Sequence, residues 1–472
     1  MFRYDPLRTG HNPFESEIGV GNVASLQEAW TADIDPSLSS PAVANGVAYV
    51  GSGNVLAVFD ADGVTGCAGT SKPCTPLWTA VTADVVTSPT IANGVVYVVA
   101  GNTLHAFDAD GVTGCGGTPK TCTPLWTAVP RQGEPAGPKS PVVADGIVYV
   151  GFVDTLYAFD AAGVTGCSGT PKTCTPLWTG NTHCFNIFVS MSPAAVARGV
   201  IYVACDAHDE MFGSGRLFAF DAAGTTGCSG TPKTCEPLWS AFSGAVDSSP
   251  AVADGLVYVN DFTAHGDIEP ATGTLRAFDA AGVTGCSGVP KTCMPLWTAE
   301  IGPSRSSPAV AKGVVYVVVD TTLSAFDAAG TTGCSGTPKV CSPLWTASPG
   351  GSTSSSVAVA NGVVYVHFNT FGPSSSIHGF DAGGTTGCSG APKVCSPIWT
   401  ANTENFGATS PAVANGVVYA STEDKLFAFN LPRAPQSASD CKNGGWRNFV
   451  DDAGRPFANQ GQCVSSVVSR RT

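Results

Sequence analysis

The stretch Leu156–Thr179, LYAFDAAGVTGCSGTPKTCTPLWT, recurs in close copies along the whole 472-residue chain. Each copy carries a G-V-V-Y-V segment, a Phe-Asp pair and a Trp within P-L-W-T. The Trp landmarks are Trp30, Trp78, Trp126, Trp178, Trp239, Trp297, Trp345 and Trp399. The matching Phe landmarks are Phe59, Phe107, Phe159, Phe220, Phe278, Phe326, Phe380 and Phe429. Self-similarity at a period near fifty residues is the mark of a propeller or an array.

Four strands read out of each copy. PAVAN is short and innermost, GVVYVGS follows, then LYAFDA, then PLWTA. Asn-Gly or Asp-Gly joins the first two, as at Asn45-Gly46 and Asp145-Gly146, which is the strongest short hairpin signal. The second strand is almost continuously apolar, as a strand is when both faces of its sheet are covered. Four antiparallel strands repeated radially make a β-propeller, and eight landmarks make eight blades. The chain begins with a lone Trp strand (Ser25–Trp30) and ends with three strands (Pro411–Asn430) that no Trp strand follows. One plus three predicts that the N-terminal strand completes the last blade and closes the ring. The expected organisation is a lead-in at 1–24, an eight-bladed all-β propeller at 25–430, a Pro/Ser linker at 431–439 and a small Cys-bracketed module at 440–472.

Eighteen cysteines are present. Seven pairs share one spacing: Cys67–Cys74, Cys115–Cys122, Cys167–Cys174, Cys228–Cys235, Cys286–Cys293, Cys334–Cys341 and Cys388–Cys395. Each falls between the third and fourth strands, where a hairpin brings two arms to disulfide distance. On the loop-entropy model each ring is worth about 2.5 kcal/mol. A zinc reading would need four converging ligands, usually C-x2-C pairs, and these pairs are longer and lie on different blades. Cys184 and Cys205 flank the first two strands of blade four and read as a disulfide, with two free thiols the other reading. Cys441–Cys463 brackets the tail, with Trp446 and Phe449 expected to pack around it, surface anchors being the other reading.

Composition narrows the function. The net charge of −13 repels phosphate backbones, and Lys and Arg are scattered, so neither nucleic acid nor an anionic membrane surface is expected as a partner. No apolar run is long enough to span a membrane. The start, MFRYDPLRTG, lacks the apolar core of a signal peptide, yet regular cysteine pairs suit an oxidising compartment. The expectation is a secreted or cell-surface protein whose leader lies outside this sequence; oligomeric state is left open.

Repeats of the form V-Y-V…L-Y-A-F-D-A…L-W-T resemble the pyrroloquinoline-quinone-type (quinoprotein-like) propeller family over about residues 22–430. That family includes bacterial quinoprotein alcohol dehydrogenases and a lipoprotein of outer-membrane assembly. The opening RYDPLRTGHNPFESEIGVGNVASLQEAW is similar to the lead-in of such proteins. The resemblance implies that the eight Trp landmarks dock between blades. Its enzymes stack the quinone between a Trp and a vicinal Cys-Cys disulfide, hold Ca²⁺ by Glu, Asn and Asp, and use an Asp as base. This chain has no adjacent Cys-Cys, and its propeller Trp residues are all taken by the repeated position. No catalytic residue carries over; pyrroloquinoline quinone and Ca²⁺ belong only to the alternative reading of a divergent dehydrogenase. A purely structural surface protein is a further alternative.

Spacing points to a binding face instead. From landmark Phe to the next Trp is nineteen residues every time, as from Phe59 to Trp78. From the second-strand Tyr to the Phe is usually ten, but eighteen for Tyr202 to Phe220, twenty for Tyr258 to Phe278 and fifteen for Tyr365 to Phe380. From Trp to Pro is usually eleven, but fifteen for Trp126 to Pro141 and Trp178 to Pro193. In an up-and-down blade both variable connections emerge on one face, and loops set by a rigid scaffold are where function concentrates. Candidate ligand-binding residues are therefore Arg131, Glu134, His183, Asp206, His208, Asp209, Glu210, His265, Asp267 and Glu269. The partner expected there is a protein or polymer, with a carboxylate–imidazole cation site as a lesser reading. Asp60-Ala-Asp62-Gly63 hints at a calcium loop, but later acidic positions are missing, and the Asp after each Phe reads as an Asx-turn residue.

Overall fold

Turn chemistry sets the blades. At all eight first turns both central residues have positive φ, as at Asn45 (51°) and Gly46 (75°) or Asp145 (49°) and Gly146 (77°). That is the type I′ geometry whose twist suits a two-residue hairpin. In a computed structural model of the chain, the structure describes residues 4–68, 72–130, 139–182, 184, 191–205, 215–244, 248–262, 272–353, 355–370, 374–432, 434–435, 438, 441–442, 446, 449, 451 and 457–469.

The chain forms an eight-bladed β-propeller. Blade three is representative: Val142–Ala144, Ile147–Phe152, Thr155–Asp160 and Trp178–Asn181 pair antiparallel in sequence order. In blade eight the order is Ala412–Ala414, Val417–Ser421, Lys425–Asn430 and then the N-terminal strand Gln27–Asp33, so the ring closes as the landmarks predict. Each pair of neighbouring blades shares its own apolar core. Between blades three and four, Tyr149, Leu156 and Trp178 meet Ile201, Val203, Phe218 and Phe220. All eight landmark Trp residues are buried, between 1% and 6% exposed.

All seven hairpin disulfides are formed, with Cα separations of 3.9–4.0 Å, and Cys184–Cys205 and Cys441–Cys463 are disulfides as well. One feature of the hairpins goes beyond the repeat. Each leaves its own blade and adds in parallel to the outer strand of the preceding one. Thr173–Cys174 of blade three pairs with Trp126–Ala128 of blade two, and Thr234–Cys235 of blade four pairs with Trp178–Asn181 of blade three. Blade one's hairpin does the same to the N-terminal strand, where Thr31 N–H donates to Lys72 O (3.3 Å) and Cys74 N–H to Thr31 O (2.8 Å). The disulfide hairpin is thus a staple between blades. In the tail, Cys441, Phe457, Cys463 and Val467 form a small core with Trp446 and Phe449 against it, and Gln460–Ser469 is a helix.

Candidate functional site

The loop face is built by strand order. First turns and Cys hairpins lie on one face; connections from strand two to three and from four to one lie on the other. The ten candidate residues Arg131, Glu134, His183, Asp206, His208, Asp209, Glu210, His265, Asp267 and Glu269 all lie outside the described residues.

What holds the bases of those connections is described. The buried Cys184–Cys205 disulfide ties the entry of blade four to the end of its second strand. Ser192 N–H donates to Ala204 O (2.8 Å), and Ala204 N–H donates back to Ser192 Oγ (2.9 Å). At blade five, Arg276 is ion-paired with Asp261 and also donates to Ser243 O (3.1 Å), while Thr274 N–H donates to Asp261 Oδ1 (2.7 Å). Asp261 is fully buried, and burial lowers the pKa of Arg276. The pair pins both ends of the blade-five connection. Its only sequence signal is Arg276 itself, two residues before landmark Phe278.

Around the channel mouth, the serine before each Pro position links blade to blade. Ser249 N–H donates to Ser307 Oγ, Ser307 to Ser356, Ser356 to Ser410, Ser410 to Ser40 and Ser40 to Ser88, at 2.9–3.1 Å. At blades three and four the belt is replaced by Arg8, whose guanidinium donates to Pro141 O (2.7 Å), Ser140 O (3.3 Å) and Ala194 O (3.0 Å). Arg8 is 0% exposed; burial pushes its pKa down to about 9, against the pull of Asp5, so it stays cationic at neutral pH. The rest of the lead-in follows the channel wall. Val196, Val252, Val310 and Val359 N–H donate to the carbonyls of Pro6, Leu7, Thr9 and Gly10, at 2.7–2.9 Å. Asn12 Nδ2 donates to Val413 O (2.9 Å). One stretch of the lead-in therefore satisfies inner-strand amides that would otherwise lie unpaired inside the ring.

Two cavities flank the mouth on the loop face. One, of about 320 Å³, is lined by Phe262, Ser304, Arg305, Asp320, Thr353 and Asn369 among others. The other, of about 360 Å³, is lined by Leu38, Asp84, Thr87, Lys139 and Pro193 among others. Each combines one cation, one carboxylate and apolar wall, which suits recognition of polar side chains or small polar ligands.

The described residues do not fit a stacked quinone. The indole N–H groups of Trp30, Trp126, Trp239, Trp297 and Trp345 donate to the carbonyls of Ala61, Ala161, Ala280, Ala328 and Ala382 in the next blade, at 3.0–3.3 Å. No group of three or more His, Cys, Asp or Glu converges among the described residues. His367 and His378 are buried on blade seven, bonded to Thr403 and Ser375, and to Ser376 and Thr400. Burial pushes their pKa values down to about 3 and about 4, so both are neutral packing residues. The Asp after each Phe is an Asx-turn residue. Asp160 accepts N–H bonds from Ala162 (3.1 Å), Val164 (3.0 Å) and Thr165 (2.6 Å). Burial pushes its carboxyl up, but these N–H bonds outweigh that and hold it below the usual carboxylate range. No helix among the described residues is long and apolar enough to cross a membrane.

A family model described as outer membrane protein assembly factor BamB matches residues 16–166. No curated protein matches the sequence. Among solved structures, BamB from Moraxella catarrhalis superposes with a TM-score of 0.55 at 16% identity, over 86% of this chain and 99% of that chain. The computationally designed Ika8 protein superposes with a TM-score of 0.53 at 13% identity, again over 86% and 99%. At these identities the likeness is one of fold.

Proposed function

We propose that this PQQ-like β-propeller is a secreted, non-catalytic binding or scaffold module that engages a protein or polymer through the loop face of blades three to five. The observation that carries this reading is an asymmetry. Rim and hairpin face are locked by repeated staples, while every length change in the repeat falls in connections of the other face. Arg276–Asp261, Cys184–Cys205 and Arg8 brace the scaffold beneath those connections, as a fixed binding surface requires. The matching family is described as an assembly factor, which supports a protein partner. Nine disulfides suit an oxidising, extracellular setting.

The test is capture of a partner by the purified chain in pull-downs and on glycan arrays, repeated with His208, Asp209, His265 and Asp267 changed to Ala. Loss of capture at unchanged melting temperature supports the reading, and full retention removes the site from blades three to five. A stoichiometric complex with pyrroloquinoline quinone and Ca²⁺ that reduces a dye with alcohols would overturn the non-catalytic assignment.

A further inference from the structure

Seven of the eight blades have their outer edge covered by the next blade's hairpin. Among the described residues, blades one to six and blade eight are so covered, whereas the blade-seven sheet ends at the strand Trp399–Glu404. Blade eight lacks the hairpin that would cover it, because its third strand ends at Asn430 and its fourth comes from the N-terminus. The covered edges share one contact: the residue after the Trp donates its backbone N–H to a Lys carbonyl in a Lys-x-Cys segment. Thr79, Thr127, Thr179, Ser240 and Thr346 donate to Lys120, Lys172, Lys233, Lys291 and Lys393, at 2.9–3.0 Å.

At blade seven the equivalent residue is Thr400. It is exposed, as are Asn402 and Glu404, whereas all seven counterparts are half-buried. The lead-in reaches only the start of this strand, where Trp399 Nε1 donates to Leu26 O. The strand is also longer than the outer strands of blades one to six, six residues against three or four. An open edge of this kind is a template for strand addition unless something covers it.

We propose that the outer edge of blade seven is a docking site for an extended, lysine-bearing segment of another protein, which adds in parallel to Thr400 as the Lys-x-Cys segments do at the other seven edges. Two observations choose this occupant. The molecule displays the same edge filled seven times, always by a parallel segment with Lys at the accepting carbonyl. Charge leans the same way: the chain carries −13, and Glu404, ion-paired with Lys425 (3.2 Å) yet 77% exposed, stands at the end of the edge. A second copy offers no free hairpin, since all seven are engaged within their own chain, and its own open edge carries the same Glu404.

The probe is the chain's own hairpin, residues 164–175, as an oxidised ¹⁹F-labelled peptide titrated into the full chain. Binding broadens the ¹⁹F signal, and the Thr400 amide, fast-exchanging in the free chain beside Thr346, gains protection from hydrogen exchange. Thr400→Pro removes the outward N–H and weakens binding about tenfold. Glu404→Lys, on an exposed side chain, weakens it about threefold and remains informative if the proline variant misfolds. Three outcomes overturn the proposal: no protection of Thr400 at saturating peptide, equal binding by Thr400→Pro and Glu404→Lys, or protection of Thr400 without peptide. If that last protection vanishes on dilution together with a dimer mass, the edge pairs with a second copy. None of these results bears on the loop face.

Discussion

The indole N–H of Trp399 donates to the carbonyl of Leu26, 3.4 Å away and 373 residues apart in sequence. At five other interfaces the acceptor of the Trp is the alanine carbonyl that follows Phe-Asp in the next blade. Blade eight has no such turn, since Phe429 is followed by Asn430 and Leu431. The lead-in supplies the missing acceptor, and Ile18, Val23 and Leu26 supply the missing apolar wall. The seam between blades seven and eight is therefore where the chain closes on itself, and where the repeat's bonding is least complete.

That incompleteness separates two tyrosines. Tyr97 donates its hydroxyl to Ala161 O (2.9 Å), the carbonyl that Trp126 also uses. The hydroxyl of Tyr365, at the seam, is buried with no hydrogen-bond partner among the described residues. Tyr97→Phe is expected to destabilise the chain by about 1 kcal/mol, and Tyr365→Phe to leave it unchanged or stabilise it by about 1 kcal/mol. Equilibrium denaturant unfolding of the two variants checks this. A similar loss in both would place a partner on Tyr365.

Gly163 lies at φ 64° with the indole of Trp126 packed onto it, and an added Cβ would sit inside the envelope of Trp126 Cδ1. Neither strain is relieved by a rotamer change, because the clash is with the residue's own Cβ. Gly163→Ala is expected to cost about 3 kcal/mol, from the left-handed backbone and the displaced ring together. Trp fluorescence should shift as one indole leaves its pocket. An unchanged spectrum and midpoint would mean the interface repacks freely.

The staple between blades gives a spatially specific expectation. Replacing Cys167 and Cys174 by Ser frees the blade-three hairpin, whose Lys172 carbonyl accepts the N–H of Thr127 on blade two. Loss of up to about 2.5 kcal/mol is expected from the loop-entropy term. Hydrogen exchange should quicken at Thr127, on the preceding blade, and stay slow at Thr179 of the hairpin's own blade. The opposite pattern would show that the disulfide acts within its blade.

Much of this architecture was legible because it repeats. Eight Trp and eight Phe landmarks count the blades, and Trp30 ahead of the first full copy marks the closing strand. The cross-blade pairing of Thr173–Cys174 was not legible, since a backbone bond to a neighbouring sheet leaves no side-chain pattern. Arg8 could not be recognised as the tie between blades three and four: it is one cation in a segment without periodicity, bonded to three backbone carbonyls. Of the loop face, the spacing locates the connections, and two braces show as residues out of pattern: the Cys184–Cys205 pair and Arg276. The tail helix Gln460–Ser469 carries too few apolar residues to stand out beside its disulfide.

Acid should loosen the propeller before its carboxylates titrate. His105, His367 and His378 are held neutral by burial, which pushes their pKa values down to about 4, about 3 and about 4. In the unfolded chain each returns to about 6.5. Below that pH the unfolded state binds protons that the native state refuses, so stability falls as pH drops through 6.5 towards 4. The loss is at most about 1.4 kcal/mol per pH unit for each histidine. The Asx-turn aspartates, held low in the native state, add their loss only at lower pH, so the window from 6.5 to 5 reports on the histidines. His105 separates cause from coincidence, because neither of its ring nitrogens has a hydrogen-bond partner among the described residues. Its ring stacks on Phe107, and the equivalent positions in blades four and eight are Phe218 and Phe427. His105→Phe should therefore raise stability by about 1 kcal/mol at pH 7.5 and by more at pH 5. Unfolding free energies measured at the two pH values test both parts, and a gain that does not grow on acidification would mean that His105 is solvated in the native ring.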